Sequence, residues 1–396
     1  MTGEREPITA ERLAWLEAEA ARWRGEGLIA DDTATAILTR YRAQERRTPV
    51  ALVVVLGFLL VGVGLVLLVA ANVELDQIGP LARFLGVAAI WLVLVAAAEL
   101  GVERVVALGV LVGPLRVLVV VAYGATILQA TQSLQVPAFS AAILAAWAVG
   151  SLAYAYAVAS YGALVLGISI GVGWYLFAGT ESSDETAAVV LGLALPVPLL
   201  LAAGMAHART ALAPFGRPWR GLAVIIGLAG LFAGAIPGFV REPDVPWMAW
   251  VVLVVGLVGV AVLAARGDAD DRFEATMGVW MAVAALLLVV AAPGETTDVF
   301  SGDSPSGGQI GFSLLGVATF VAAALAVAIL GVRRRSPRIT DAASGALFVF
   351  LLVQSFGVLA PLASGAALVL GLGVVLVVGG VLVDRGRRRL RAEAGG

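Results

Sequence analysis

The sequence has no cysteine, no lysine and a single histidine, His207. Without cysteine there are no disulfides, thiolate metal sites, cysteine nucleophiles or iron–sulfur clusters. One imidazole cannot assemble a multi-histidine metal site or a histidine relay within one chain. All 26 basic residues are arginine, a coding bias of a GC-rich genome that also shows in the abundant Ala, Gly and Val. Charge is sparse: 14% of residues are charged against 60% apolar, and mean hydropathy is +0.97. Soluble domains sit nearer ~45–50% apolar, so water is not the main solvent of this chain. A formal net charge of -2 points to no nucleic-acid partner, and in a membrane the side on which each charge lies matters more than the sum. Residues 1–49 are polar and charged, and the apolar run that starts at Val50 is too long for the core of a signal peptide.

Inside hydrocarbon every backbone amide needs an internal partner, so an apolar run of about 20 residues has to be a helix roughly 30 Å long. Twelve such runs are present: Val50 to Ala71, Leu81 to Leu100, Leu115 to Leu134, Pro137 to Ala159, Tyr161 to Ala178, Thr186 to Ala206, Gly221 to Phe239, Pro246 to Ala265, Ala275 to Ala292, Ile310 to Gly331, Ala342 to Ala360 and Ser364 to Val383. They are continuously apolar and do not alternate with period 2, which excludes a β-barrel. Cytoplasmic loops retain basic residues, so arginine tests the direction of each span. With the N-terminus in the cytosol, twenty-three arginines fall inside, Arg241 alone falls outside, and Arg83 and Arg116 lie within spans. The longest outer loop, Gly294 to Gln309, has acids and no base. The fold class expected is therefore all-α: a polytopic transmembrane helical bundle over 50–384 with about twelve spans, both termini in the cytosol of a bacterial inner membrane, and a basic tail over 385–396. Between Arg116 and Arg209 no arginine checks the count, so ten spans also satisfy the charge pattern.

Residues 1–49 form the other part, a short cytosolic helical hairpin. Thr9 is placed to cap a first helix, with Leu13, Leu16, Ala20 and Trp23 at helical spacing and Gly25 to Gly27 ending it. Asp31 or Asp32 is placed to cap a second, with Ile37, Leu38 and Tyr41 on its apolar face. About 40 residues are too few to be stable alone, so the hairpin is expected to pack on the membrane domain, on a second copy, or on a cytosolic protein.

Several polar residues stand out within or beside the spans. An unbroken helix from Arg104 carries Arg116 about 18 Å into the bilayer, where an arginine costs at least ~2.5–3.5 kcal/mol and requires a partner or a wet path. A break at Pro114 instead lets Glu103 to Gly113 lie along the inner interface while Arg116 snorkels to its edge, the reading that removes most of that cost. Arg83 has water within reach near the outer end of its span, with Glu74 or Asp76 as a partner. Gln129 and Gln132 share one face of the third span, and Gln354 lies in the eleventh. These amides are expected to bond between helices or, with Asn72 and Glu74, to line a polar path. Gly230, Gly234 and Gly238 make a smooth stripe for close helix packing. The aromatics Trp147, Tyr154, Tyr156, Trp174, Tyr175 and Trp247 fit interfacial belts.

No nucleophile elbow, Walker loop, metal-spaced set or intramembrane carboxylate pair is visible, so no catalytic, cofactor-binding or metal-ligating residue is assigned and no enzyme is expected. The acidic GDADDR does not have EF-hand spacing.

GLIADDTATAIL, the approach Arg42 to Arg47, GFLLVGVGLVLLVAAN ending at Asn72, ELDQIGPLAR and GATILQATQSLQ together give the segment from about Glu11 to Gln135 a family likeness. It resembles the bacterial predicted membrane proteins of domain of unknown function 2157. Val73 stands where that family usually has an aromatic, and its Tyr-His is absent around Ser133. The resemblance implies a membrane topology and carries no catalytic residue. The function expected is a non-enzymatic scaffold, sensor or assembly factor, with the lipid bilayer and whatever residues 1–49 bind as its partners; the alternative is a transporter or channel for a small or lipid-like solute.

Overall fold

The computed structural model describes residues 6–8, 10–43, 79–101, 109–135, 140–181, 185–236, 245–292, 307–334 and 336–359. The first and twelfth expected spans, Asn72, Glu74, Thr9 and the basic tail lie outside the described residues. Contacts divide the chain into two units, Met1–Gly79 with Val95–Leu118, and Pro80–Leu94 with Val119–Gly396.

The first unit holds the N-terminal hairpin. Helix α1 (Ala10–Gly25) ends in a Schellman turn: Leu28 N–H donates to Trp23 O at 2.9 Å and Gly27 N–H to Arg24 O at 3.1 Å. Gly27 sits at φ +69, a conformation in which a side chain is strained. Helix α2 (Asp31–Leu38) follows, but its N-cap is Ala30, without a side-chain cap. Asp31 and Asp32 thus lie in the first turn, where they complement the helix dipole, rather than at the cap expected for them. Tyr41 does not extend α2 either. It opens strand β2 (Tyr41–Ala43), which pairs in parallel with β1 (Glu6–Ile8). Ala20 and Ala34 are the buried residues of the hairpin, while Trp15 and Leu28 are 61% and 67% exposed.

The other described elements are helical. Helix α3 (Pro80–Ala96) runs into a π-helical turn, Ala97–Gly101, and α4 spans Gly109–Ser133. Then come α5 (Ala141–Ala157), α6 (Tyr161–Thr180), α7 (Glu185–Ala194), α8 (Val197–His207), α9 (Gly216–Gly234), α10 (Trp247–Ala265), α11 (Ala269–Val290), α12 (Gly307–Arg333) and α13 (Pro337–Leu359). The sixth expected run is one span broken at Pro196, because proline has no N–H to continue the ladder. The described residues include 7 helices long and apolar enough to cross a membrane.

Solvent explains the pattern of faces. On α10, Ala249, Leu253, Gly256, Val260 and Ala264 point inward, while Val251, Val254, Val255 and Val258 are half exposed or more. A helix apolar on both faces suits lipid outside and protein inside. Hydrocarbon gives no hydrophobic drive between helices, so close packing has to supply the attraction. In the second unit Phe320 stacks on Phe350 at 4.0 Å, with Phe232 edge-on to both, joining α9, α12 and α13. Of the expected glycine stripe, Gly230 and Gly234 face α7 and Gly238 lies outside the described residues; a Cβ on Gly230 would stand 3.0 Å from Ala194 N and Val190 O.

Gly230→Ala is therefore expected to force α7 and α9 apart and lower stability by about 1–3 kcal/mol in a detergent unfolding titration. Gly221, on the open side of α9 with nothing within 4 Å of its Cβ position, is the control. Gly221→Ala should be neutral or stabilising by up to about 1 kcal/mol.

Candidate functional site

Charged side chains of the second unit gather at one end of its helices. Asp268 caps α11, its carboxylate accepting from Asp271 N–H at 2.7 Å. That cap fixes the helix start and puts Asp268, Asp271 and Glu274, each three residues from the last, along one face. Three arginines converge there from three other segments. Arg209, in the turn after α8, donates to Asp271 Oδ2 at 3.2 Å and to Leu263 O at 2.7 Å. Arg220 on α9 reaches Asp271 Oδ1 at 3.2 Å and Glu274 Oε2 at 3.3 Å. Arg334, at the end of α12, donates through one nitrogen to the same two oxygens, at 2.7 and 2.8 Å. Beside this centre Arg333 bonds Asp270 at 2.8 Å and lies over the Phe273 ring, 4.9 Å from its centroid.

Glu274 is the deepest member, its side chain only 2% exposed and roughly 8 Å along α11 from the helix start at 1.5 Å per residue. Burial would pull the Arg334 guanidinium down, but the Asp271 and Glu274 carboxylates outweigh it and hold Arg334 above its ordinary value. The Nε atoms of Arg220 and Arg334 are buried without a partner, so the centre has spare donors. Among the described residues no group of three or more His, Cys, Asp or Glu is placed to hold a metal ion. The ion pairs fasten α8, α9, α11 and α12 together at one end.

A second polar knot lies beside it. His207 closes α8, its Nδ1 2.7 Å from Ala203 O and its Nε2 2.8 Å from the Tyr156 hydroxyl on α5. Trp219 Nε1 donates to the same hydroxyl at 3.1 Å. Phe215 packs against Tyr156 at 5.4 Å between centroids.

In the first unit, apart from the exposed pairs of the hairpin, Arg116 pairs with Glu99. Arg116 Nε donates to Glu99 Oε1 at 3.0 Å and Nη2 to Oε2 at 2.7 Å, a two-pronged bond with side chains 17% and 23% exposed. The expected break at Pro114 is not there: α4 runs through Pro114, which lies inside the helix and contributes no N–H to its ladder. Arg116 is satisfied by a carboxylate from the π-helical turn of the preceding helix rather than by snorkelling alone. Arg83 is half-buried in the first turn of α3, Gln129 is half-buried and Gln132 exposed on α4. Gln354 lies on α13, and its side chain is outside the described residues, as are Asn72 and Glu74. The structure thus joins Arg116 to Glu99, a pairing the sequence spacing of 17 residues did not suggest.

Not every aromatic is a belt residue. Trp147 donates to Val120 O at 2.9 Å and covers Gly124, Tyr175 is buried, and Tyr156 is held in the His207 knot. Trp247, 69% exposed at the start of α10, keeps the interfacial character expected of it. The arginine–carboxylate cluster was missed, although one signal pointed to it. GDADDR is an acidic run in a loop that the arginine count puts on the basic side, opposite the arginines that follow Gly331.

Long apolar helices with their charges collected at one end define a polytopic helical membrane protein. Within that class, residues 21–164 match the family model described as Predicted membrane protein (DUF2157). The match starts later than the resemblance seen from Glu11 and continues past Gln135, through α5 and into α6. No curated protein and no solved structure matches the chain.

Removing the Glu274 carboxylate leaves Arg209, Arg220 and Arg334 to share the one carboxylate of Asp271, an excess of positive charge in a largely buried centre. Glu274→Ala should lower stability by about 3–5 kcal/mol, or prevent accumulation of the folded chain. Asp270→Ala, which breaks the half-exposed contact with Arg333, should change it by no more than about 1 kcal/mol. A larger loss for Asp270→Ala than for Glu274→Ala in the same detergent titration would invert this ranking.

Proposed function

We propose that the chain is a non-enzymatic scaffold, sensor or assembly factor of the bacterial inner membrane, with twelve spans and both termini in the cytosol. The observation that carries this reading is how the polar side chains buried between the helices of the second unit are satisfied. Thr126 bonds Ala122 O at 2.8 Å, and Ser151 bonds Trp147 O at 2.6 Å, each one turn back on its own helix. Hydroxyls turned onto their own backbone are satisfied within their helices and need no solute or water beside them. Support for the orientation comes from the ionic cluster, which collects Arg209, Arg220, Arg333 and Arg334 at the end assigned to the cytosol by the arginine count. The hairpin of residues 1–49 presents Trp15 and Leu28 to solvent, a surface suited to a cytosolic protein or a second copy of the chain.

One observation favours the transporter reading: the Glu99–Arg116 pair joins two helices that are both candidate spans. The readings part in a strain deleted for this chain and complemented with Glu99→Ala/Arg116→Ala. A scaffold tolerates the double variant, since removing both charges leaves none unpaired, and whatever phenotype the deletion causes is restored. Loss of complementation at normal protein level would establish the pair as part of a pathway. Reporter fusions test the topology independently: green fluorescent protein should fluoresce and alkaline phosphatase should stay inactive at both ends, and opposite results at the two ends would refute an even number of spans.

A further inference from the structure

His207 is the chain's one histidine, and its partners fix the proton on each ring nitrogen. The Ala203 carbonyl can only accept, so Nδ1 carries the hydrogen that bonds it. Neutral imidazole then has a lone pair on Nε2, and the Tyr156 hydroxyl donates to it. The Tyr156 oxygen in turn accepts from Trp219 Nε1. Every group is used once: Trp219 gives to Tyr156, Tyr156 to His207, and His207 to the α8 backbone. The Tyr156 and Trp219 rings lie nearly parallel to the imidazole, at 5.6 Å and 21° and at 6.1 Å and 19° between centroids and planes.

We propose that His207 is a proton-responsive site whose protonation reverses its hydrogen bond to Tyr156 and thereby loosens the three-group link between α5, α8 and α9. A second proton turns Nε2 from acceptor into donor, aimed at a hydroxyl whose own hydrogen points back at it. Tyr156 has to swing that hydrogen away, and its oxygen must then accept from His207 and Trp219 at once, which crowds donors around it and strains the link.

The charged groups on the elements packed against α8 are Arg217 and Arg220 on α9, Arg266 after α10, and Asp270, Asp271, Arg272 and Glu274 on α11 with its cap Asp268, besides Arg209 two residues along its own chain. Arg209 and Arg220 are tied to Asp271, and Arg220 also to Glu274, which offsets the positive field that opposes a new cation at His207. The link has consequences along the chain: Tyr156 lies within the family-matched residues 21–164, while His207 and Trp219 lie beyond them. Loosening it frees the end of α5 from the helices fastened by the ionic cluster. This deepens the sensor reading and rests on it for its physiological meaning, since that reading places His207 at the cytosolic face.

The test uses the full chain in lipid nanodiscs. With nitrogen-15 histidine one residue gives all the signals, and at about pH 8 they should report the neutral tautomer with hydrogen on Nδ1, converting to imidazolium on acidification to about pH 5.5. Because no native cysteine interferes, spin labels at Ala157→Cys and Arg217→Cys read the separation of α5 from α9. Their distance distribution should broaden or lengthen at the acid pH, and His207→Phe should abolish that pH dependence. Hydrogen on Nε2 at the alkaline pH would overturn the proposal, as would an imidazolium that forms while the label distances stay fixed. Should the phenylalanine variant fail to fold, the tautomer and the distances in the chain that retains His207 decide the matter. A failure of the sensor reading is separable: the proton response would persist in nanodiscs, yet cells carrying His207→Phe would meet acid stress no differently.

Discussion

A peptide amide surrounded by hydrocarbon has no water to bond, and that condition shapes the chain at every scale. It forces apolar runs into helices and turns hydroxyls back onto their own carbonyls. The break at Pro196, where the ladder loses a donor, and the back-bonded Thr126 and Ser151 are local consequences of the same requirement. The helices then have to be held together without a hydrophobic drive. Glycine seams and stacked phenylalanines supply close contact along their length, while ion pairs supply it at one end, where water is near enough to reduce the desolvation penalty.

The arginine–carboxylate cluster and the His207 knot are neighbours of opposite character. In the first, three guanidinium groups share two carboxylates, so no single proton or rotation releases it. In the second, three neutral groups bond in a line, each with one partner it cannot exchange without the others moving. A firm fastening next to a tunable one lets a change at α5 leave the helices around Glu274 in place. The Glu99–Arg116 pair, carried by a π-helical turn, is a third kind of fastening, between a helix end and the helix that follows it.

Much of the architecture was legible in one dimension because hydropathy is a property of composition over about 20 residues. The run Leu81 to Leu100 falls on Pro80–Gly101, and Pro246 to Ala265 falls on Trp247–Ala265, the boundaries set by helix-starting prolines readable in the sequence. Capping was less legible. Asp31 and Asp32 are good caps by residue type, yet Ala30 holds the cap position, since where a helix starts depends on how the hairpin closes through its glycine turn and strand pair. Tyr156 looked like a membrane-belt residue because its type fits that role, and nothing local reveals that it meets an imidazole 51 residues away.

The sequence by itself determined that this chain lives in a bilayer and that its spans are helical, because both follow from composition and order alone. Only the tertiary structure decided which charges meet. Arg220, Arg334 and Glu274 come from three helices far apart in the chain, and Arg116 finds Glu99 across a turn. Partner choice is a matter of which helix faces lie together, and that depends on the small residues and aromatics that set the packing.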